Sequence, residues 1–401
     1  MVMTKTRALV ALTVLAIVST ARSACDDLEK YFGDVSSVST INLDVIRVDC
    51  PANDNGESLE EVVIEAGKTL TITTTRDFVR FVNLRFKVED GASLVFDMDK
   101  TRFGPNSGDS ENAPDYMLDV KEGGSVTFNG KFRATKVNNV RSVFFNAGTM
   151  EFKGNALFIK NGNVFRSNSG TLKFRGNTTF KKNFYLAIDN DDSGFVRFSK
   201  KATFDDNAGS FDGTDGCAIS NGDGAVIFRD DVIFKNHDCD EGAAVGNSGK
   251  MRQVAALHFS FYGKAIFNDN TNKRDWGGGA NNHVGTMIFK DAVEFNGNEA
   301  EYGGGLAVEG GEVTFEDSVT FDGNLATITG GAFSLTLGGQ FGTVPDAPGS
   351  LTFEKPDEVV TAGNFIDDIE DSDEVLACTL AFVEEGSTLV GFDREDVCVE
   401  A

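Results

Sequence analysis

Residues 148–183 read GTMEFKGNALFIKNGNVFRSNSGTLKFRGNTTFKKN, and the same phrase occurs in them twice. Gly148-Thr-Met-Glu-Phe152 returns 22 residues later as Gly170-Thr-Leu-Lys-Phe174. After each copy comes a second phenylalanine and then an asparagine at fixed distance, giving Phe152/Phe158/Asn161 and Phe174/Phe180/Asn183. Inside a phrase the apolar residues stand two apart. They therefore share one face of an extended strand, with the polar residues between them on the other.

Outward from this stretch the phrase Gly-x-apolar-x-Phe recurs at Gly124–Phe128, Gly194–Phe198, Gly224–Phe228, Gly285–Phe289, Gly311–Phe315 and Gly349–Phe353, with a longer variant at Gly91–Phe96. The Phe, Phe, Asn triplet recurs at Phe198/Phe204/Asn207, Phe261/Phe267/Asn270, Phe289/Phe295/Asn298 and Phe315/Phe321/Asn324, while His237 takes the Asn position after Phe234. Self-similarity at this period marks a solenoid. With a third strand near Leu306 and Val308, each repeat predicts one turn of a three-sided coil, successive turns pairing in parallel with Phe above Phe. No proline falls between Asp115 and Val344, as expected where every strand needs its N–H for a ladder on both sides. The repeated Asn suits a corner, where it tolerates left-handed backbone. The expected fold is all-β: a right-handed parallel β-helix, a pectin-lyase-like solenoid, of about ten coils rising by about 4.8 Å each. The Leu framework of leucine-rich repeats, a six-residue beat and the longer period of a propeller blade are all missing.

The composition agrees with a packed interior. Of the aromatic residues 35 are Phe against 5 Tyr and 1 Trp, and Phe has no polar group to show to water. With 37 basic and 62 acidic residues the net charge is −25, which argues against nucleic acid and anionic membranes as partners. Lys5 and Arg7 followed by the apolar run 8–18 form a signal peptide, expected over 1–23; the run is too short to span a bilayer. Secretion makes the six cysteines disulfide candidates. Their sequence-local couples are Cys25 with Cys50, Cys217 with Cys239 and Cys378 with Cys398. These suggest an N-terminal cap over 24–66, a β-helix over 67–365 and a C-terminal cap over 366–401, the caps disulfide-bonded to protect the open ends. His237 beside Cys239 could hint at a metal, but no CxxC accompanies it and a disulfide is the expectation. The sequon at Asn177 (Asn177-Thr178-Thr179) is a glycosylation acceptor in a secreted protein.

The Phe-x-x-Asn motif, with Gly330-Gly331-Ala332-Phe333 and looser forms at Gly304–Val308, Gly242–Val245 and Gly216–Ile219, resembles the repeats of chlamydial polymorphic outer-membrane proteins over about residues 124–353. That resemblance implies a surface passenger used in adhesion. The chain departs from it in having no C-terminal β-barrel, so a freely secreted, extracellular or cell-wall-associated protein is expected.

Two functions compete on the sequence. One is an adhesive or structural β-helix binding glycan or protein through side loops, for which the insertions 97–119, 247–256 and 336–349 are candidates. The other is a polysaccharide lyase or hydrolase. Acid chemistry there needs convergent carboxylates; the candidates are Asp191-Asp192, Asp205-Asp206 and Asp230-Asp231, with Arg229 as a possible base. No cofactor is expected, although stacked acidic turns would also suit Ca²⁺; solvated turn residues explain the same acids without chemistry. Trp276 could stack a sugar or cover the core. The Thr run 69–75 looks like one rank of an ice-binding face, but occurs once and reads as an edge strand of the first coil.

Overall fold

A computed structural model describes residues 39–49, 60–104, 116–137, 142–191, 193–208, 216–239, 243–247, 258–274, 276–336, 348–366, 381–384, 387–390 and 398–400. It is a parallel β-solenoid. Three sheets of 13, 12 and 13 strands run its length, and each strand pairs with its equivalent in the neighbouring coil. One coil runs Thr149–Phe152 in the first sheet, Ala156–Ile159 in the second and Asn163–Asn168 in the third; the next repeats this with Thr171–Phe174, Thr178–Lys181 and Ile188–Asn190. The expected third strand is Leu306–Val308. Among the described residues no helix is long and apolar enough to cross a membrane.

The interior follows from the two-residue alternation. Met150 pairs with Leu172 and Phe152 with Phe174 in exact register, so identical side chains fall above one another. In the first sheet ten Phe rings, from Phe96 to Phe353, form one column with centroids 4.5–5.1 Å apart and planes within 18°. A second column of seven runs from Phe158 to Phe321. Within a coil the two columns meet edge to face, as Phe174 and Phe180 do at 6.0 Å and 86°, the geometry the ring quadrupoles favour.

The corner after the second sheet differs from the expectation in one respect. Left-handed backbone belongs to the residue before the Asn: Lys160, Lys182, Asp206, Asn236 and Asp269 have φ of 52–57°, and Gly297, Gly323 and Gly363 have φ of 59–63°. The Asn is thereby turned inward to make a ladder. Asn183 Nδ2 donates to the Oδ1 of Asn207 in the next coil (2.8 Å) and to the Phe158 carbonyl (3.3 Å), while Asn183 Oδ1 accepts from both the backbone N–H and the Nδ2 of Asn161. The pattern repeats at Asn270, Asn298, Asn324 and Asn364. The buried amide nitrogen and oxygen of each of these Asn side chains have partners, which removes a penalty of about 1–3 kcal/mol per group.

The solenoid is longer than the repeat phrase suggested, with 13 strands in the first sheet against about ten expected coils. The extra coils lack the phrase but keep the alternation. Strands Thr40–Asn42, Arg47–Asp49, Glu60–Ile64, Ala381–Glu384, Thr388–Val390 and Cys398–Glu400 extend the ladders within the segments read as caps. Thr69–Thr73 is not an edge strand, because it pairs with Thr40–Asn42 on one side and Ser93–Asp97 on the other. From Asp238 onward a fourth, five-stranded sheet fills the corner between the second and third. The Cys217–Cys239 disulfide forms as expected, with Cα atoms 6.0 Å apart, and lies in mid-chain, joining adjacent coils. Cys25, Cys50 and Cys378 lie outside the described residues, and of Cys398 only the backbone is described.

Candidate functional site

The acids singled out as catalytic candidates sit at three different corners. Asp191 follows the third-sheet strand Ile188–Asn190, Asp205 ends the second-sheet strand Ala202–Asp205, and Asp230 and Asp231 lie between the first-sheet strand Ala225–Phe228 and the second-sheet strand Val232–Lys235. Asp192 lies outside the described residues. The coil therefore distributes these acids around its section.

Asp205 is the most enclosed of them, with 7% of its surface exposed. Lys181 from the preceding coil pairs with its Oδ2, Asn236 Nδ2 from the following coil donates to its Oδ1 at 3.1 Å, and Lys235 stands 3.9 Å away. Burial pushes its carboxyl up, but the bonds from Lys181 and Asn236 and the charge of Lys235 outweigh that and hold it below the ordinary carboxylate range. A group so held stays an anion and is poorly suited to carry a proton at neutral pH. Asp206 pairs with Lys182 at 3.0 Å. Asp230 Oδ1 accepts the Asp231 N–H at 2.9 Å and Asp231 Oδ1 the Lys264 N–H at 3.2 Å, both serving as turn acceptors. The Arg229 guanidinium lies 3.9 Å over the Tyr262 ring, a cation–π contact between neighbouring coils. Among the described residues no three His, Cys, Asp or Glu side chains come together as a metal ion would need.

The other candidates are absorbed by the scaffold. His237 is buried and replaces an Asn in the corner ladder: the Asn207 N–H points to its Nδ1 at 3.2 Å, and its own N–H donates to Asn270 Oδ1 at 3.3 Å. Burial lowers its pKa to about 4, against the opposing pull of the Asn207 carbonyl and of Asp205 and Asp206. Trp276 is 5% exposed and stacks on Tyr302 of the next coil at 4.2 Å, so it covers the core and offers no face to a sugar. Asn177 stands exposed between the first and second sheets. Thr69 opens a row of five hydroxyls in register with Ser93, Ser125, Thr149 and Thr171, but the neighbouring rank reads Thr71, Val95, Thr127 and Glu151, so no two-rank Thr face forms. A groove of about 270 Å³ beside this row is lined by glycines, Ser and Thr with one Ala and no titratable side chain. The phrase glycines there are steric: a Cβ on Gly148 would lie 2.2 Å from the Gly124 carbonyl oxygen, and one on Gly170 2.1 Å from that of Gly148.

Two polar arrangements had no counterpart in the sequence reading. A second buried ladder joins Asn146, Asn168, Asn190, Asn221, Asn247 and Asn282 through amide-to-amide bonds of 2.7–2.9 Å. Its sequence signal, at every member but Asn247, is an Asn two to four residues before the phrase glycine, as in Asn146-Ala-Gly148. On the outer side of the third sheet Glu309, 5% exposed, accepts from Asn281 Nδ2 at 2.9 Å and faces His283 Nδ1 at 3.3 Å. The insertions expected to line a groove fall mostly outside the described residues, at 105–115, 248–257 and 337–347.

Compared with known proteins, the chain matches no family profile. No curated protein matches it, and no solved structure does.

Proposed function

We propose that this chain is a secreted extracellular rod with an adhesive or structural role, holding glycan or protein on its outer surface. The observation that carries this reading is the fate of the acids. The described candidates lie at separate corners, where Asp205 and Asp206 are ion-paired to lysines of neighbouring coils and Asp230 and Asp231 accept turn hydrogen bonds. An acid-base pair for glycoside cleavage needs two carboxyls held across one bond, and this arrangement spends them on the scaffold. Secretion is supported by the basic-apolar start of the chain and by the Cys217–Cys239 disulfide. The adhesive role draws on the resemblance of the repeats to those of chlamydial surface passengers, and on a rigid scaffold that projects loops.

The test is incubation of the mature protein with acidic and neutral polysaccharides, with and without Ca²⁺, following new reducing ends, unsaturated uronate and retention on the same polymers. Retention without turnover is expected. Turnover of any polymer would replace this reading with a lyase or hydrolase.

A further inference from the structure

The outer face of the second sheet changes character along the rod. Its central row, one residue per coil, reads Arg47, Arg80, Arg102 and Arg133 before turning to Leu157 and Thr179. Two residues earlier on the same face Lys100 and Lys131 are also in register. At the spacing of paired strands the four arginines form a straight row about 15 Å long.

Like charges directly opposite each other on paired strands are unfavourable; Lys173 facing Arg197 is another case, but many charges elsewhere meet an opposite one. Glu151 meets Arg175 at 2.7 Å, Lys264 meets Glu294 at 2.5 Å and Lys290 meets Glu316 at 2.5 Å, each pair spanning two coils. In the arginine row Arg80, Arg102, Arg133, Lys100 and Lys131 have no carboxylate partner among the described residues, although the chain holds 62 acids. Asp77 and Asp99, on the corners leading into these strands, form no ion pair with them. The mutual repulsion is visible at Arg102, whose pKa is lowered by burial first and then by the charges of Arg80 and Arg133. The guanidinium groups are nonetheless oriented: Arg102 lies 3.9 Å over the Phe78 ring, and Arg133 Nε donates to Thr135 Oγ1 at 2.9 Å.

We propose that this row binds an acidic polysaccharide laid along the rod axis, its carboxylate or sulfate groups facing the arginine forks. The proposal rests on the reading of the chain as a binding rod and moves one contact from the side loops to a sheet face. A planar guanidinium presents two parallel donors to a carboxylate or sulfate, which a point charge cannot do. A single extended polyanion can follow a straight row one side chain wide. A nucleic-acid duplex carries its phosphates on two strands, which a row one side chain wide does not match. Single-stranded nucleic acid is held by open aromatic platforms, and the ring beside this row, Phe78, is already covered by Arg102. The chain as a whole carries a net charge of −25, so attraction is local to its basic coils and falls as salt rises.

The experiment measures anisotropy of labelled oligogalacturonate and heparin fragments with the full mature chain, over a range of salt, beside neutral dextran and single-stranded DNA. The triple variant Arg80→Gln, Arg102→Gln, Arg133→Gln removes the row without introducing acids. A control, Lys153→Gln, Lys200→Gln, Lys201→Gln, makes the same change of net charge on exposed residues elsewhere. The expected result is at least a tenfold loss of affinity in the arginine triple, with a shallower salt dependence, and less than twofold in the control. The arginine triple should unfold at the same temperature or higher, since repulsion is relieved. Tighter binding of oligogalacturonate than of heparin fragments, or the reverse, would assign carboxylate or sulfate as the group read. Equal losses in both triples, tighter binding of DNA than of either glycan, or no binding of the acidic fragments would overturn the proposal. If the wild type binds acidic glycans and the arginine triple binds them equally well, the row is wrong while the binding rod stands. If the wild type instead cleaves them, the rod reading itself falls.

Discussion

The early and late coils turn the same corner with different residues. Lys160, Lys182, Asp206, Asn236 and Asp269 hold left-handed backbone just before the ladder Asn, where the later coils use Gly297, Gly323 and Gly363. A side chain in that conformation costs about 1–2 kcal/mol. The outer face of the second sheet differs too: on the early coils Arg80, Arg102 and Arg133 stand in register with no carboxylate partner among the described residues, where on the late ones Glu294 is paired with Lys264. The inside does not differ. Phe columns and Asn ladders run through both regions at the same spacing. The shared interior therefore sets the backbone path, and local costs on the outside are tolerated where it holds them.

The comparison breaks most readily in the core. Phe180→Ala in the early coils and Phe295→Ala in the late ones each remove a ring lying between two others, and each should cost about 3–5 kcal/mol. Because solenoid coils contact only their neighbours, hydrogen exchange around each site is the appropriate measurement. Costs differing by more than about 2 kcal/mol would mean that the interior is not equivalent along the rod.

Next come the ladders. Asn183→Ala leaves the Asn161 N–H and the Phe158 carbonyl without their partners, and Asn298→Ala does the same to the Asn270 N–H and the Phe267 carbonyl. Each should cost about 3 kcal/mol, read by denaturant unfolding followed at local probes. A much smaller loss in one region would show that its corner is held by something other than the ladder.

His237 sharpens the comparison through pH. Its folded pKa of about 4 lies below its ordinary 6.5, so on acidification the unfolded chain takes up a proton that the folded one refuses. The stability the neutral ring contributes is complete above pH 6.5 and is lost progressively down to pH 4, by at most roughly 3 kcal/mol. His237→Asn should restore the regular ladder and flatten this part of the profile. Parallel profiles for wild type and variant across that window would sink the assignment.

What could be read in advance follows from which atoms face inward. The Phe columns and the corner positions of the first-ladder Asn residues were legible because Phe, Phe and Asn keep fixed spacing within one short stretch, untouched by insertions; that the Asn amides bond to one another was not. The second ladder was not, since Asn146 precedes its phrase glycine by two residues and Asn190 by four. The third sheet was faint for another reason: Ala243–Asn247 is buried on both faces, so its sequence does not alternate. Site chemistry was least legible because it joins coils. Asp205 drew attention for standing next to Asp206, yet its partners Lys181 and Asn236 lie 24 and 31 residues away. Nothing in the separations between Arg47, Arg80, Arg102 and Arg133 announces a row until the register is known.

The smallest effect tests the corner itself. Lys160 is exposed and holds φ of 54°, so Lys160→Gly should stabilise the early coils by up to about 1 kcal/mol, the conformational penalty being relieved and part of it returned through the freer unfolded chain. The reciprocal change is Gly323→Lys in the late coils. A Cβ there meets nothing closer than the Gly297 nitrogen at 4.0 Å, so no clash contributes and the loss should be the same balance in reverse, up to about 1 kcal/mol. Gly297 would be a poorer choice, since a Cβ on it comes within 2.6 Å of an Asp269 carboxylate oxygen. Changes of opposite sign and similar size, measured by thermal unfolding at neutral pH, would establish that one backbone is built from two residue solutions. If Gly323→Lys costs nothing, the glycines of the late coils need another explanation, and the fourth sheet that adjoins their corners is where to look for it.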